Sequence, residues 1–347
     1  MSALVACLVF AAACSGTSSG KATRAPRGHG HAPFVKRMPL TWTALHNPLY
    51  LESARAVKDE ALAAAPDSWY LLFSAVDEGG AWRVGIARSR DGRAWSTLPS
   101  MPHDATVDGE GSPDVVGAPD RRFVVTYQSQ PHDRAGAQSK LYYRTTTDFR
   151  HFFDARPLAR ELHPGANDRM IDAALAWTPA GLLLGYKHGI PDGPQAFELA
   201  RSASGTLDGP WHLVGRPEIR VLGDTIENYQ FFELDHRWQL LATSNVLNRP
   251  YLFALTGDPT QPSGWLHWSA GRQLEVPQEP WNRGSGATGG TYQHANSAYL
   301  VDQRTVDGHV YLVYEDAPNL TGFGGESHGV IAIARSTDLQ RWTVPPS

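Results

Sequence analysis

Short apolar runs of five to eight residues, separated by Gly, Pro, Asp or Asn turns, follow one another from Leu51 to the end of the chain. Runs of this length that are rich in branched and aromatic residues predict β-strands. They come in sets of four, and the third run of each set ends in a related phrase, followed by a turn and an aromatic residue. No helical period of useful length interrupts them. The pattern therefore predicts repeated units of four short strands.

The repeated phrase has a regular spacing along the chain. Its marker positions are Arg88, Arg144, Arg201, Ala254 and Arg335, at steps of 56, 57, 53 and 81 residues. The long last step contains the Gly- and Pro-rich segment 273–292, which we interpret as an inserted loop. Five copies of a four-stranded unit at this period are typical of a propeller and not of a sandwich. The predicted fold class is an all-β, five-bladed β-propeller with four antiparallel strands per blade.

The second strands of the predicted blades agree with this repeat. They are the runs Trp69–Ser74, Phe123–Gln128, Leu182–Lys187, Trp238–Thr243 and Val310–Glu315. The stretch from Thr225 to Ser244 predicts a complete hairpin, because two such runs flank the polar turn from Glu233 to Arg237.

The N-terminal residues differ in composition from the rest of the chain. A small, apolar run from Ala3 to Ala13 precedes Cys14, and a Ser-, Gly-, Lys- and Pro-rich stretch follows to about His31. This resembles a bacterial lipoprotein signal, so we expect residues 1–14 to be the signal, with Cys14 lipidated. Residues 15–33 are then a flexible linker, and residues 34–347 the propeller domain. A plain secretory signal is the alternative; an apolar run this short does not span a bilayer.

Composition and charge narrow the class of protein. A net charge of -4 without a basic stripe gives no electrostatic case for nucleic acid as a partner. Both cysteines, Cys7 and Cys14, lie in the N-terminal segment, so the mature domain can have no internal disulfide. We expect an exported monomer, either a cell-surface lipoprotein or a secreted protein, that contacts the membrane only through a lipid on Cys14.

Acidic residues recur near the start of the first strand of the predicted blades. Asp59 and Glu60 lie in the first blade, Asp114 in the second, Asp172 in the third and Glu227 in the fourth. First strands line the central channel of a propeller, so these side chains converge although they are distant in sequence. Carboxylates that share one channel repel each other, which raises the pKa of at least one and separates an acid from a base.

The order of these residues resembles glycoside hydrolase family 43, which includes arabinanases, arabinofuranosidases and xylosidases. The matching features are Asp59, then Ile-Asp at Asp172, Ile-Glu at Glu227, and His294 before Asn-Ser in the fifth blade. The resemblance covers about Lys58 to the C-terminus and lies in ordered spacing more than in one motif. Three residues that adjoin matching positions differ from the family pattern, so the chain resembles a distant member of the family. These are Glu60 and Ala173, where the family usually has Pro, and Gln293, where it usually has Gly.

The resemblance implies a catalytic role for three carboxyls. Asp59 would be the general base, Glu227 the general acid, and Asp172 the residue that orients this acid and tunes its pKa. Inversion at a glycosidic carbon needs one protonated and one ionised carboxyl about 6.5–9.5 Å apart. The apolar and aromatic neighbours of Glu227 predict that it is buried, with a raised pKa. Strand alternation leaves open whether Asp59 or Glu60 faces the channel, and the alignment favours Asp59.

Further candidates would bind substrate or metal, and each has a structural alternative. Asp114 contacts substrate or caps a turn. Trp177 and Tyr229 stack on sugar rings or pack in the core, and Arg249 is a candidate for a hydroxyl contact. The resemblance requires no cofactor. It allows a structural calcium ion in the central channel, where His294 is either a metal or water contact or a core histidine.

The predicted function is that of an inverting glycoside hydrolase acting on pentose- or furanose-containing polysaccharides, such as arabinan, arabinoxylan or arabinogalactan. A non-catalytic carbohydrate-binding propeller on the cell surface is the alternative, supported by the unusual residues Glu60, Ala173 and Gln293. A related propeller hydrolase, a fructosidase or anhydro-galactosidase, is a third reading. The expected partner is a carbohydrate in each case.

Overall fold

The computed structural model describes residues 40–105, 107–129, 139–165, 168–189, 195–219, 221, 226–244, 247, 249–277, 279, 281, 297–316 and 329–346. The predicted signal, Cys14, the linker, most of the inserted loop and His294 lie outside the described residues. In the described part, none of the helices is long and apolar enough to cross a membrane.

Five antiparallel sheets follow one another along the chain. The first sheet contains β1 (Ala56–Ala64), β2 (Trp69–Val76), β3 (Trp82–Ser89) and β4 (Ser96–Leu98); the second contains β5 (Glu110–Gly117), β6 (Phe123–Ser129), β7 (Leu141–Thr146) and β8 (Arg156–Pro157). The third contains β9 (Arg169–Thr178), β10 (Gly181–Gly189), β11 (Gln195–Ser202) and β12 (Trp211–Gly215). The fourth contains β13 (Ile226–Leu234), β14 (Arg237–Ser244), β15 (Arg249–Ala254) and β16 (Arg272–Gln273), and the fifth contains β17 (Ala298–Gln303), β18 (His309–Asp316) and β19 (Val330–Ser336). The described helices are the 3-10 turns Trp42–Ala44 and Pro262–Leu266 and the α-helix α1, Arg304–Asp307.

The first strand of each sheet faces a common axis. Neighbouring first strands contact each other all the way round, in the order β1, β5, β9, β13, β17 and back to β1. This closed ring confirms the predicted five-bladed propeller, and it brings side chains from distant parts of the sequence to one channel.

The fifth blade closes the ring with both ends of the folded domain. Its sheet has three described strands, and isolated bridges occupy the outer edge of β19, where a fourth strand would lie. Tyr50, ahead of the first blade, pairs with Ile331, and Thr343, near the C-terminus, pairs with Arg335. Two separate segments therefore cover an edge that would otherwise expose unpaired backbone groups.

The repeated phrase found in the sequence forms the turn after the third strand of a blade. Asp91 Oδ1 accepts hydrogen bonds from the backbone N–H groups of Arg93 and Ala94. Asp148 and Asp338 accept equivalent pairs of bonds in the second and fifth blades. An aspartate that satisfies two turn N–H groups explains why this residue recurs, so the phrase is structural.

Aromatic side chains pack between neighbouring blades. Phe197 of the third blade lies with its ring centroid 4.2 Å from Tyr229 and 6.3 Å from Phe231 of the fourth, and Phe231 also packs edge-on against the fully buried Trp265 of its own blade. Burying a side chain of this size contributes about 1.5–3 kcal/mol. The blades are thus fixed relative to one another, which holds the channel residues in place.

Candidate active site

A β-bulge interrupts the first strand of four blades at the same place. The register shifts between Lys58 and Ala61 in β1, and matching shifts occur in β5, β9 and β13. The first bulged residue is Asp59, Ser112, Asp172 and Asn228 in the four blades, with φ of 50°, 46°, 55° and 53°. Positive φ strains residues that carry a side chain, and such strain clusters at functional sites.

The four bulged residues surround a narrow cavity in the channel. Its volume is about 20 Å³, and its lining includes Asp59, Ser112, Asp172 and Asn228. A polar cavity of this size has room for about one water molecule. Re-aiming a side chain is a known effect of a bulge, and here four bulges direct polar groups at one water-sized space.

Hydroxyl groups hold the Asp59 carboxylate in one orientation. Ser74 Oγ donates to Asp59 Oδ2 at 2.9 Å, and Ser112 Oγ donates to the same oxygen at 3.1 Å. The backbone N–H of Ser112 in turn donates to Ser74 Oγ at 2.7 Å. Asp59 is half-buried and borders the cavity. Its neighbour Glu60 is buried, accepts a hydrogen bond from Ser297 and lies against Glu315 of the fifth blade. Both acids border the cavity, and Asp59 is the one more open to solvent.

The protonation of Asp172 depends on its burial and on the charges of neighbouring channel residues. Burial, followed by repulsion from Glu227, raises the pKa of Asp172 from 3.8 to about 7, while Lys187 acts in the opposite direction. Asp59 adds a smaller repulsion to the same pKa. Asp172 therefore senses the charge of both other predicted catalytic acids, and it holds a proton at mildly acidic pH.

Glu227 lies one residue before the bulge, where Asn228 and not Glu227 is the counterpart of Asp59 and Asp172. The expectation that its apolar neighbours bury it is wrong, because its side chain is 27% exposed. Its Oε2 instead forms an ion pair with Nζ of the buried Lys187, which reaches across from the third blade, at 2.9 Å. Among the three predicted catalytic acids, Asp172 is the one with a raised pKa on this side of the channel.

Two carboxyls beneath Asp59 form a buried acid pair. Burial and mutual repulsion raise the pKa of Glu60, and burial raises the pKa of Glu315 to about 7. One oxygen of each, Glu60 Oε1 and Glu315 Oε1, is buried without a hydrogen-bond partner among the described residues. Carboxylate oxygens are the ligands that Ca²⁺ prefers, so this pair fits the calcium ion that the family resemblance allows.

The structure brings some of the predicted binding residues to the cavity and not others. Asp114 borders it, is buried, and has its pKa raised to about 7 by burial. Tyr229 also borders the cavity, but its ring packs against Phe197 and its hydroxyl donates to the Ile226 carbonyl, so it serves the core. Trp177 lies five residues beyond Asp172 on β9, about 16 Å along the strand, and lines a separate cavity of about 300 Å³.

The remaining two candidates differ in position. Arg249 begins β15 and pairs with Ser244, so it lies two strands out from Ile226 at the same end of the fourth blade. That is the end at which Glu227 lies. His294 falls outside the described residues, so its predicted contact with water or calcium stays a prediction.

Sequence reasoning missed Lys187, Ser74 and Ser112 as site residues. Lys187 is the last residue of the predicted second strand of its blade, and a polar residue at that position is expected to be exposed to solvent. Ser112 becomes visible as a counterpart of Asp59 once the strands are aligned on their bulges and not on their acids. The register of the bulges is thus the signal that could have found it.

The fold is a five-bladed β-propeller, and the site is a set of carboxyls at its channel. In fold, the chain is similar to an α-L-arabinofuranosidase from Lactobacillus brevis, with a TM-score of 0.60 at 14% identity, over 88% of this chain and 99% of that one. It is also similar to a xylan β-1,4-xylosidase from Bacillus halodurans C-125, with a TM-score of 0.59 at 17% identity, over 86% of this chain and 56% of that one. A family-43 endo-arabinanase from Bacillus licheniformis is similar with a TM-score of 0.54 at 14% identity, over 84% of this chain and 99% of that one.

These likenesses confirm the predicted resemblance to family 43 at the level of the fold. The sequence matches no protein-family model and no curated protein.

Proposed function

We propose that this protein is an inverting glycoside hydrolase acting on pentose- or furanose-containing polysaccharides of the arabinan, arabinoxylan or arabinogalactan type. The observation that carries the proposal is that Asp59 and Asp172 line one water-sized cavity while the charges of Asp59 and Glu227 both act on Asp172. The arabinofuranosidase, xylosidase and endo-arabinanase of similar fold support this substrate class.

The proposed reaction begins with one water molecule beside Asp59. The Asp59 carboxylate, held by Ser74 and Ser112, takes a proton from the water as the water attacks the anomeric carbon. Glu227, more exposed than Asp172, gives a proton to the leaving oxygen. Attack on one face and departure from the other invert the configuration.

Asp172 and Lys187 have complementary effects on the acid. Asp172 holds a proton at mildly acidic pH, because burial and the charge of the neighbouring Glu227 raise its pKa. Lys187 stabilises the carboxylate that Glu227 becomes after proton transfer. Proton supply and charge stabilisation are thus divided between two residues.

A calcium ion in the channel belongs to this proposal as a structural element. Glu60 and Glu315 would hold it, and its charge would offset the repulsion between these two buried carboxyls. Export, by a lipoprotein or secretory signal, is likewise proposed from the N-terminal sequence and suits a polymeric substrate outside the cell.

A non-catalytic carbohydrate-binding propeller is the second candidate, and the Lys187–Glu227 ion pair favours it. Lys187 Nζ lies 2.9 Å from Glu227 Oε2, and a carboxylate engaged in an ion pair is a poor proton donor unless substrate changes the pairing. This candidate predicts saturable glycan binding with no released sugar at any pH.

Hydrolysis of chromogenic arabinofuranosides and of polymeric arabinan by the wild type and by Glu227→Gln tests the proposal. We expect the variant to lose at least 100-fold in kcat on substrates with poor leaving groups, since general acid catalysis contributes about 10²–10⁴-fold. Glu233→Gln is the matched control, because Glu233 lies near the far end of β13. A wild type that binds arabinan without releasing sugar would support the binding protein, and undiminished cleavage by Glu227→Gln would remove Glu227 from the mechanism.

A further inference from the structure

Two histidines and a buried glutamate meet between the second and third blades, and none of the three lines the channel cavity. His163 comes from the segment that joins β8 to β9, His188 lies on β10, and Glu198 lies on β11. One ligand atom of each residue lies within 4.8 Å of the other two. We propose that these residues form a binding site for a divalent transition-metal ion of the zinc type.

The geometry of the cluster is close to that of a metal site. His163 Nε2 lies 2.8 Å from Glu198 Oε2, and His188 Nδ1 lies 3.2 Å from Glu198 Oε1. The two imidazole rings are stacked, with centroids 3.6 Å apart. Ligand atoms at zinc distances of 2.0–2.2 Å lie at most about 4.4 Å apart, so small side-chain rotations would bring all three atoms onto one ion.

The donor set selects the class of metal. Two imidazole nitrogens with one carboxylate oxygen suit Zn²⁺ and its transition-metal neighbours, whereas Ca²⁺ and Mg²⁺ favour oxygen ligands alone. Three protein ligands leave a fourth position for water or another small ligand. The site is therefore chemically distinct from the carboxylate pair in the channel.

Outer partners already orient the ligands. Tyr186 donates its hydroxyl to Glu198 Oε2 at 2.8 Å, and Arg216 donates from Nε to Oε1 at 3.0 Å. His188 Nε2 lies 3.9 Å from Asp168 Oδ1, on the side opposite Glu198. A histidine set between a metal position and a carboxylate is the usual second layer of a zinc site.

An ion could reach the cluster from solvent. Glu198 is 1% exposed, whereas His163 and His188 are 16% and 18% exposed. A cavity of about 310 Å³ beside His163 is lined by Arg160 and Gly165, among others. A buried carboxylate with two accessible imidazoles in front of it matches a site that is loaded from outside.

The bound ion would tie the segment between two blades to the strands of the third. His188 directly follows Lys187 on β10, and alternate side chains of a strand point to opposite faces. Lys187 therefore reaches Glu227 on one face while His188 joins the metal ligands on the other. The ion would fix the strand end that carries the partner of Glu227.

Calorimetric titration of the metal-free full-length protein with Zn²⁺ tests the proposal, together with absorption spectra of the Co²⁺-loaded form. We expect one equivalent of Zn²⁺ to bind, a higher melting temperature, and visible Co²⁺ bands of a low-coordinate nitrogen–oxygen site. His163→Ala and His188→Ala should each remove this equivalent. Asp168→Asn, which leaves the ligands intact, should weaken affinity about 10- to 100-fold. His151→Ala is the matched control, because His151 pairs with Asp148 on the surface, and its binding should equal that of the wild type.

Two results would overturn the proposal. One is a wild type that takes up no stoichiometric Zn²⁺ or Co²⁺. The other is a His163→Ala/His188→Ala variant that retains the same equivalent with the same Co²⁺ spectrum. Because Asp168→Asn and the wild-type Co²⁺ spectrum do not depend on replacing a ligand, misfolding of an alanine variant would leave the test intact.

Discussion

Asp172→Asn should make the protein more stable at neutral pH while reducing its proposed activity. Burial and the charge of Glu227 raise the pKa of Asp172 from 3.8 to about 7. Below pH 4 the side chain is protonated whether the chain is folded or unfolded, so it has no effect. Between pH 4 and pH 7 the unfolded chain releases this proton and the folded chain keeps it, which progressively destabilises the fold.

The magnitude follows from the shift in pKa. One pKa unit corresponds to about 1.4 kcal/mol, so the raised pKa of Asp172 destabilises the fold by about 4 kcal/mol above pH 7 and by about 1.6 kcal/mol at pH 5. Asparagine has no such cost at either pH. The stability advantage of the variant should therefore increase by about 2–3 kcal/mol from pH 5 to pH 8.

Melting temperatures of the two proteins at pH 5 and pH 8 measure this difference. For a chain of this size, 1 kcal/mol corresponds to about 2 °C or somewhat less, so the gap should widen by several degrees. Asp91→Asn is a control of opposite sign: burial is the largest single influence on the pKa of Asp91 and raises it, but hydrogen bonds, chiefly from the Arg93 and Ala94 N–H groups, together outweigh burial and lower the pKa. A gap between Asp172→Asn and wild type that is the same at both pH values would refute the reasoning.

Three further changes probe the same site. Lys187→Met removes the charge that lowers the pKa of Asp172, so the alkaline limb of a pH–rate profile should move to higher pH; an unmoved limb would show that Lys187 does not tune the acid pair. Ser112→Ala removes one of the two hydroxyls on Asp59 and should lower kcat about tenfold, a change of about 1.4 kcal/mol, with Ser204→Ala on the surface as control. Asn228→Val places a β-branched residue at φ 53° and should destabilise the fold by about 1–2 kcal/mol or more in a thermal melt, whereas Asn228→Gly should be tolerated.

The strands were predictable because each one follows from a pattern of apolar and turn residues within a short stretch of sequence. The hairpin expected from Thr225 to Ser244 forms as β13 and β14, joined through Asp235 and His236, both at positive φ. Apolar alternation and turn residues carry that information in neighbouring positions of the chain.

The bulges were not predictable in this way, because one extra residue shifts the alternation without leaving a mark in composition. Aligning the blades on their acidic residues therefore matched Glu227 with Asp59, although the residue of the fourth blade that corresponds to Asp59 is Asn228. Lys187 escaped notice for a different reason: its partner Glu227 lies 40 residues away, in the next blade. Trp177 was predicted to bind sugar because it is an aromatic residue on the same strand as Asp172, but it lies at the far end of that strand and lines a different cavity.

The closure of the fifth blade determines how the chain could be rearranged. Tyr50 and Thr343 both pair with β19, within four residues of each other along that strand (Ile331 and Arg335). A short connector could therefore join the two ends, and new termini could open at the two-residue turn between β13 and β14. Such a circular permutant would keep every blade, whereas deleting the segment around Tyr50 would remove its backbone pairing with β19 at the outer edge of the fifth blade.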